Sequence, residues 1–193
     1  MKCDIVLAGV GGQGILTIAA ILGKMAVAEN LHVKQSEIHG MSQRGGSVFA
    51  HLRLSSQPIL ADQITAGAAD LVVAMEPMEA LRHAQSLAPT GTVITDRTPV
   101  VNIGDYPAEE EIINELHKLP GLVLLDTTDL AKKSGNPRNT NIVLLGAIAN
   151  FLGLDPTFLE KAIEQHFARK GDAVVQAALT AFRLGKDAKS QQA

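Results

Sequence analysis

The chain has 193 residues, 46% of them apolar, 19% charged and 3% aromatic, and its formal net charge is −3. That length suits one domain with room for a sizeable buried core. The negative balance, with no Trp and one Tyr, excludes a broad phosphate-backbone footprint and a base-stacking surface, so no nucleic-acid partner is expected.

Ile5 to Val10 is a continuous apolar run of strand length, read as a buried parallel strand. Gly14 then opens a helix to about Asn30. A second strand is predicted from His32 to Glu37, followed by a polar, glycine-rich loop over 38–46. From Ser47 to Leu54, Val48, Ala50, Leu52 and Leu54 alternate with Phe49, His51 and Arg53, the pattern of a strand with one wet face. Arg53 is read there as a solvated or interface residue. Asp70 to Met75 is another apolar strand, and Pro77 suits the first turn of a helix to about Leu87. A Pro-Thr-Gly turn precedes a strand from Gly91 to Thr95.

Ala108 to Leu119 reads as a charged amphipathic helix, with Glu109, Glu110 and Glu111 in its first turn, where acids favour the dipole. Leu122 to Asp126 is one more buried strand, and 133–139 is a loop. Asn139, Thr140 or Asn141 caps a helix to about Leu152 that is apolar almost all round and so buried on several sides. Asp155-Pro156 and Gly171 introduce two final helices, the second ending near Lys186. The alternation of strands and helices predicts a single α/β domain over 1–187, a Rossmann-like, doubly wound, mainly parallel sheet with helices on both faces. Residues 188–193 are expected to be a disordered tail.

Cys3 is the one cysteine. It can make no internal disulfide, and it cannot by itself hold an iron–sulfur cluster, which takes four thiolates. Its apolar neighbours mark it as a core position at a strand start. No secretory leader is visible, and the apolar stretch from Ile15 to Val27 contains Lys24 and is too short to span a bilayer. A cytoplasmic location without membrane contact is expected.

Two glycine turns carry the functional signal. Gly9, Gly11 and Gly14 have the G-x-G-x-x-G spacing after a strand and before a helix. Such glycines permit a tight turn, close ligand approach and helix–strand packing, and the helix N-terminus offers donors to an anion. The same spacing also serves a tight turn that binds nothing. Glu37 lies 23 residues beyond Gly14, near the place of a ribose-binding acid in dinucleotide folds, but a loop rather than a helix follows it. In the second turn, Arg44 carries a forked donor array suited to phosphate or carboxylate, and Gly45 and Gly46 allow close backbone approach. Gln43, Ser42 and Ser47 add neutral hydrogen-bonding groups, and His39 could donate a proton or a hydrogen bond. No His, Asp or Glu grouping has metal-ligand spacing, and no nucleophile with an adjacent base is readable.

Gly9-Val10-Gly11-Gly12-Gln13-Gly14, followed by Gln43-Arg44-Gly45-Gly46-Ser47, resembles the gamma-type domain of 2-oxoacid:ferredoxin oxidoreductases. The start of the Asn141 helix and Ala181-Phe182-Arg183-Leu184-Gly185 share the likeness, which covers nearly the whole chain. The wording from Glu37 to Gly46 is most similar to the beta subunits of the indolepyruvate branch, with gamma subunits of pyruvate and 2-oxoglutarate enzymes as the alternative. The resemblance implies a subunit, inactive alone, of a complex that decarboxylates a 2-oxoacid, forms an acyl-CoA and reduces ferredoxin. This chain would hold no cofactor. Thiamine diphosphate, magnesium and iron–sulfur clusters would lie on a larger partner subunit, with coenzyme A as co-substrate and ferredoxin as electron acceptor. Gly11, Gly12, Gln13, Gly14, Gln43, Arg44, Gly45 and Gly46 would face the shared active site, helping to hold CoA phosphate or substrate carboxylate. Glu37, His39, Ser47 and Asn141 are further candidates. The residues alone also leave open an independent NAD(P)-dependent oxidoreductase and a non-catalytic interaction module.

Overall fold

In the computed structural model, which describes residues 1–39 and 45–188 and all their side chains but that of His39, the central strand is β1 (Lys2–Val10). It is buried from Cys3 onward. Cys3, Ile5 and Leu7 point into one core, and Val6 and Ala8 into another on the opposite face. That two-sided burial is why the run reads as continuously apolar.

The remaining strands are β2 (His32–His39), β3 (Ser47–Ser55), β4 (Ala69–Ala74), β5 (Leu87–Asp96) and β6 (Leu122–Leu125). They form one six-stranded sheet in the order β2-β3-β1-β4-β5-β6. The pairs β1–β4, β4–β5 and β5–β6 are parallel, whereas β3 is antiparallel to both β1 and β2. The sheet is therefore mixed. After β2 the chain turns back as a hairpin, so β3 wedges between β1 and β2.

Helices cover both faces. On one side, α1 (Ile15–Ala28), α5 (Thr140–Ala149), α6 (Pro156–Phe167) and α7 (Asp172–Asp187) share the larger core with α4 (Thr127–Lys133). On the other, α2 (Pro77–Arg82) and α3 (Glu109–Leu116) close the smaller one. The α5 and α7 backbones touch. A Cβ on Gly146 would lie 2.0 Å from the Phe182 carbonyl oxygen, and one on Gly185 would lie 1.9 Å from that of Val143. No side chain fits at either position. Asp155 caps α6 as predicted, its carboxylate accepting from the Thr157 amide at 2.9 Å.

Several local expectations differ. The Pro89-Thr90-Gly91 segment is part of β5, with a register irregularity opposite Ala69–Leu71 that absorbs the turn-like residues. Helix α2 stops at Arg82, and a single 3-10 turn, Ala84–Ser86, leads into β5. Helix α4 is an element the sequence reading does not contain: the strand ends at Leu125, and Asp126 instead caps α4, accepting from the Asp129 amide at 2.8 Å. The outer face of β3 is half-buried rather than wet. Arg53 is only partly exposed and is fully engaged within the chain. It makes a two-pronged pair with the buried Asp4 at 2.7 and 3.0 Å and donates to the carbonyls of Ala61 and Gln63. Cys3 is buried as expected, and burial pushes its thiol up to about 12. No helix among the described residues is long and apolar enough to cross a membrane. Gln43, Arg44 and the tail residues 189–193 lie outside the described residues.

Candidate functional site

The carboxyl ends of β1, β2, β4, β5 and β6 all reach one edge of the sheet, and β3 starts there. In open α/β sheets this edge is where ligands bind, at the point where strand order reverses. Here that point lies between β1 and β4. The first glycine turn crosses it. Gly12 and Gly14 hold φ of 106° and 85°, conformations that glycine adopts without strain. Gly12 is exposed, with open space where a Cβ would stand, whereas a Cβ on Gly14 would come within 2.7 Å of the Asn141 amide nitrogen. Gly9 packs closely against Ile15 and Met75.

Gln13 spends its side-chain amide on the backbone of the turn and its neighbour. Its Oε1 accepts from the Val10 amide at 2.7 Å, and its Nε2 donates to the Met75 carbonyl at 3.1 Å. The side chain thus bridges the crevice between β1 and β4, where a dinucleotide's phosphates would lie in a Rossmann fold. Asn141, buried in the first turn of α5, donates to the Gly14 carbonyl at 3.2 Å and ties α5 to the turn. Asn139 stands at the N-cap of α5, but its side chain makes no cap bond, and its buried Nδ2 has no partner among the described residues.

The second turn lies alongside the first. The Gly11 amide donates to the Gly46 carbonyl at 2.8 Å, and the Gly45 amide to the Gly11 carbonyl at 3.4 Å. These bonds continue the β1–β3 ladder past its last pair, Val10 and Ser47. Beside them opens a groove of about 390 Å³, lined by Val10, Gly11, Gly12, Gly14, Ile15, Leu16, Glu37 and Val48. Its walls are mainly apolar, and Glu37 is the one ionisable residue among the described lining residues. Glu37 is exposed and accepts from Gln35 Nε2 at 2.6 Å. Because β3 intervenes, Glu37 sits two strand spacings from β1, about 10 Å. A ribose-binding acid stands one spacing away, so the strand order itself removes Glu37 from that role. His39 ends β2 at the same edge. Gly11, Gly12, Gly14, Gly45, Gly46, Ser47, Glu37 and Asn141 are thus gathered at one edge.

Two buried carboxylates here carry no motif in the sequence. Glu76 and Glu79 are 1% and 3% exposed. Glu79 Oε2 accepts from the Ser47 hydroxyl at 2.5 Å. Burial raises its pKa, against the lowering effects of Ser47 and Arg82. Glu76 accepts from the Glu79 amide at 2.8 Å, the Val100 amide at 3.4 Å and the Tyr106 hydroxyl. A third buried acid, Asp96, ends β5 and accepts from Thr98 and Thr127, fastening that strand end to α4. Among the described residues no group of three His, Cys, Asp or Glu could hold a metal ion.

A mixed α/β sheet with paired glycine turns at its carboxyl edge, beside a groove, marks an α/β domain of the kind that binds ligands at this edge. Residues 4–188 match the family model for pyruvate ferredoxin/flavodoxin oxidoreductase, and the chain belongs to that family. It is 34% identical to indolepyruvate oxidoreductase subunit IorB of Archaeoglobus fulgidus, over 96% of this chain and 94% of that protein. It is 32% identical to the pyruvate/ketoisovalerate oxidoreductases common subunit gamma of Thermococcus kodakarensis, over 90% and 92%. The fold superposes with a TM-score of 0.75 and 22% identity on 2-oxoglutarate:ferredoxin oxidoreductase from Magnetococcus marinus, a structure with 2-oxoglutarate, coenzyme A and succinyl-CoA bound. The match covers 96% of this chain and 30% of that longer one. The chain is a subunit of a 2-oxoacid:ferredoxin oxidoreductase.

Proposed function

We propose that this chain is the small subunit of a cytoplasmic indolepyruvate-type enzyme, and that its paired glycine turns form one wall of a coenzyme A site completed by a larger subunit. That partner carries thiamine diphosphate, magnesium and the iron–sulfur clusters, and the assembled complex passes electrons to ferredoxin. The observation that carries the reading is the junction of Gly11 with Gly46, which fastens the second turn to the first, and the first turn lines the groove. A groove whose one described ionisable lining residue is Glu37 suits positioning a co-substrate, not transforming it. The apolar walls Val10, Ile15, Leu16 and Val48 fit the uncharged pantetheine arm, and Glu37 would repel phosphate placed against it. Phosphates would then lie toward Gly45 and Gly46, and Arg44 is the cation expected to meet them.

A partner surface is supported by exposed apolar side chains near this edge. Leu16 is 45% exposed, and Val101 is 71% exposed next to Asn102, which donates to the Gly45 carbonyl. Apolar side chains so placed suit a docked polypeptide. The resemblance to IorB proteins favours an aryl 2-oxoacid.

The test is co-expression with the larger subunit, followed by calorimetric titration of CoA and an indolepyruvate-dependent dye-reduction assay. Leu16→Glu, at an exposed groove wall, is expected to weaken CoA binding about tenfold, equivalent to about 1.4 kcal/mol. Wild-type affinity in that variant would overturn the groove as the CoA site, and turnover of pyruvate in preference to indolepyruvate would overturn the substrate class.

A further inference from the structure

Residues 45–47 are held by a polar network rooted on the far side of the sheet edge. Gly45, at φ 76°, has the backbone freedom of a glycine, and Gly46 follows it. Freedom of that kind costs entropy when the turn is ordered. Each of the three residues nevertheless has its own tie. The Gly45 carbonyl accepts from Asn102 Nδ2 at 2.8 Å, the Gly46 carbonyl accepts from the Gly11 amide, and the Ser47 hydroxyl donates to Glu79.

Two of these ties lead to one place. Glu79 is oriented by the bond from its own amide to Glu76. Glu76 also anchors the 97–108 segment, through the Val100 amide and the Tyr106 hydroxyl, and that segment delivers Asn102. Arg82 lies 3.5 Å from Glu79 but is half exposed and offsets little of the cost of burying the carboxylate. Neither acid lines the groove. Each buried acid acts through what it holds.

We infer that Glu79 is a positioning residue for CoA, holding Ser47 and thereby the Gly45–Gly46 turn against Gly11, with Glu76 fixing Glu79 and the Asn102 strap in register. The inference rests on the CoA reading of the groove.

It is tested in the complex with the larger subunit. Glu79→Ala is expected to raise the CoA dissociation constant about tenfold, as loss of one charge-assisted hydrogen bond would. The loss should fall on KM for CoA more than on kcat. Glu79→Gln keeps an acceptor for the Ser47 hydroxyl and is expected to restore most of the affinity. Ser47→Ala should reproduce Glu79→Ala, and the double variant should be no weaker than either single one. Should Glu79→Ala fail to assemble, Ser47→Ala and Glu79→Gln carry the same test. Wild-type affinity in Ser47→Ala, additive losses in the double variant or failure of the Gln rescue would each overturn the role. If Leu16→Glu weakens CoA while these variants do not, the positioning role alone fails. If none of them weakens CoA, the groove reading fails and the positioning role with it.

Discussion

The Gly11 amide reaches the Gly46 carbonyl at 2.8 Å, one step beyond the last pair of the β1–β3 ladder. Two segments more than thirty residues apart thus form one continuous rim. The link depends on β3 running antiparallel, because only then does the start of one strand meet the end of the other. A fully parallel sheet would have left the second turn to lead into a helix, away from the first.

The first prediction concerns Gly14. Its φ of 85° and the 2.7 Å approach of Asn141 to a built Cβ both oppose a side chain. Gly14→Ala is expected to lower stability by about 1–2 kcal/mol from backbone handedness alone, with the clash in addition. Urea unfolding measures the total. Asn141→Ala removes the clash together with its own bond to the Gly14 carbonyl, so the loss from Gly14→Ala measured in an Asn141→Ala background should fall to the backbone part.

A second prediction follows from the Asp4 carboxylate, which is 2% exposed and held by Arg53 and Lys2. Burial works to raise its pKa, but the bonds from Arg53 and Lys2 outweigh burial and hold it below the ordinary 3.8. A carboxyl depressed in the folded state contributes stability above its unfolded value and loses it as pH falls through the folded one. Arg53→Met leaves the buried charge short of its main partner and should cost about 3 kcal/mol at pH 7. Denaturation followed down to pH 2 should show the gap from wild type narrowing below pH 3.8.

The third prediction is chemical. Cys3 is 3% exposed, and its thiol is pushed up to about 12. The thiolate is the reactive form. Native protein at pH 8 should therefore show no fast labelling by a disulfide reagent, and denatured protein should take up one equivalent, since the sequence has one cysteine. Fast labelling of the native chain would contradict the burial.

Strand and helix identities were legible wherever a single physical cause dominated. The unbroken apolar run of β1, the Pro77 and Asp155-Pro156 starts and the all-round apolar face of α5 each reflect burial or capping that acts locally. The direction of β3 was not legible, because alternation of Val48, Ala50, Leu52 and Leu54 specifies a face and not a neighbour. Arg53 was misread for a related reason. Its partner Asp4 is 49 residues away and meets it only once β1 and β3 pair in register. The glycine turns were visible as local backbone devices, and so was Asn141 at a helix start. The bonds of Gln13 to the Val10 amide and the Met75 carbonyl were not legible, because sequence does not reveal which backbone atoms surround a side chain. Glu76 and Glu79 were silent for the opposite reason. Acids near the start of a helix are ordinary, and only the fold reveals that these two are buried against the second turn.

The crossing of α5 and α7 at Gly146 and Gly185 reaches further than its own packing. Backbones approach that closely because Gly146 lies against Phe182 and Gly185 against Val143, so α7 cannot slide by a turn against α5 without driving a side chain into a carbonyl. The crossing therefore indexes α5 along its axis. Five residues toward the N-terminus, at 1.5 Å each, Asn141 is set about 7.5 Å away, where it meets the Gly14 carbonyl. The last helix of the domain thus gauges the height of the first glycine turn, and a lesion at the far end of the sequence would be felt at the rim of the groove.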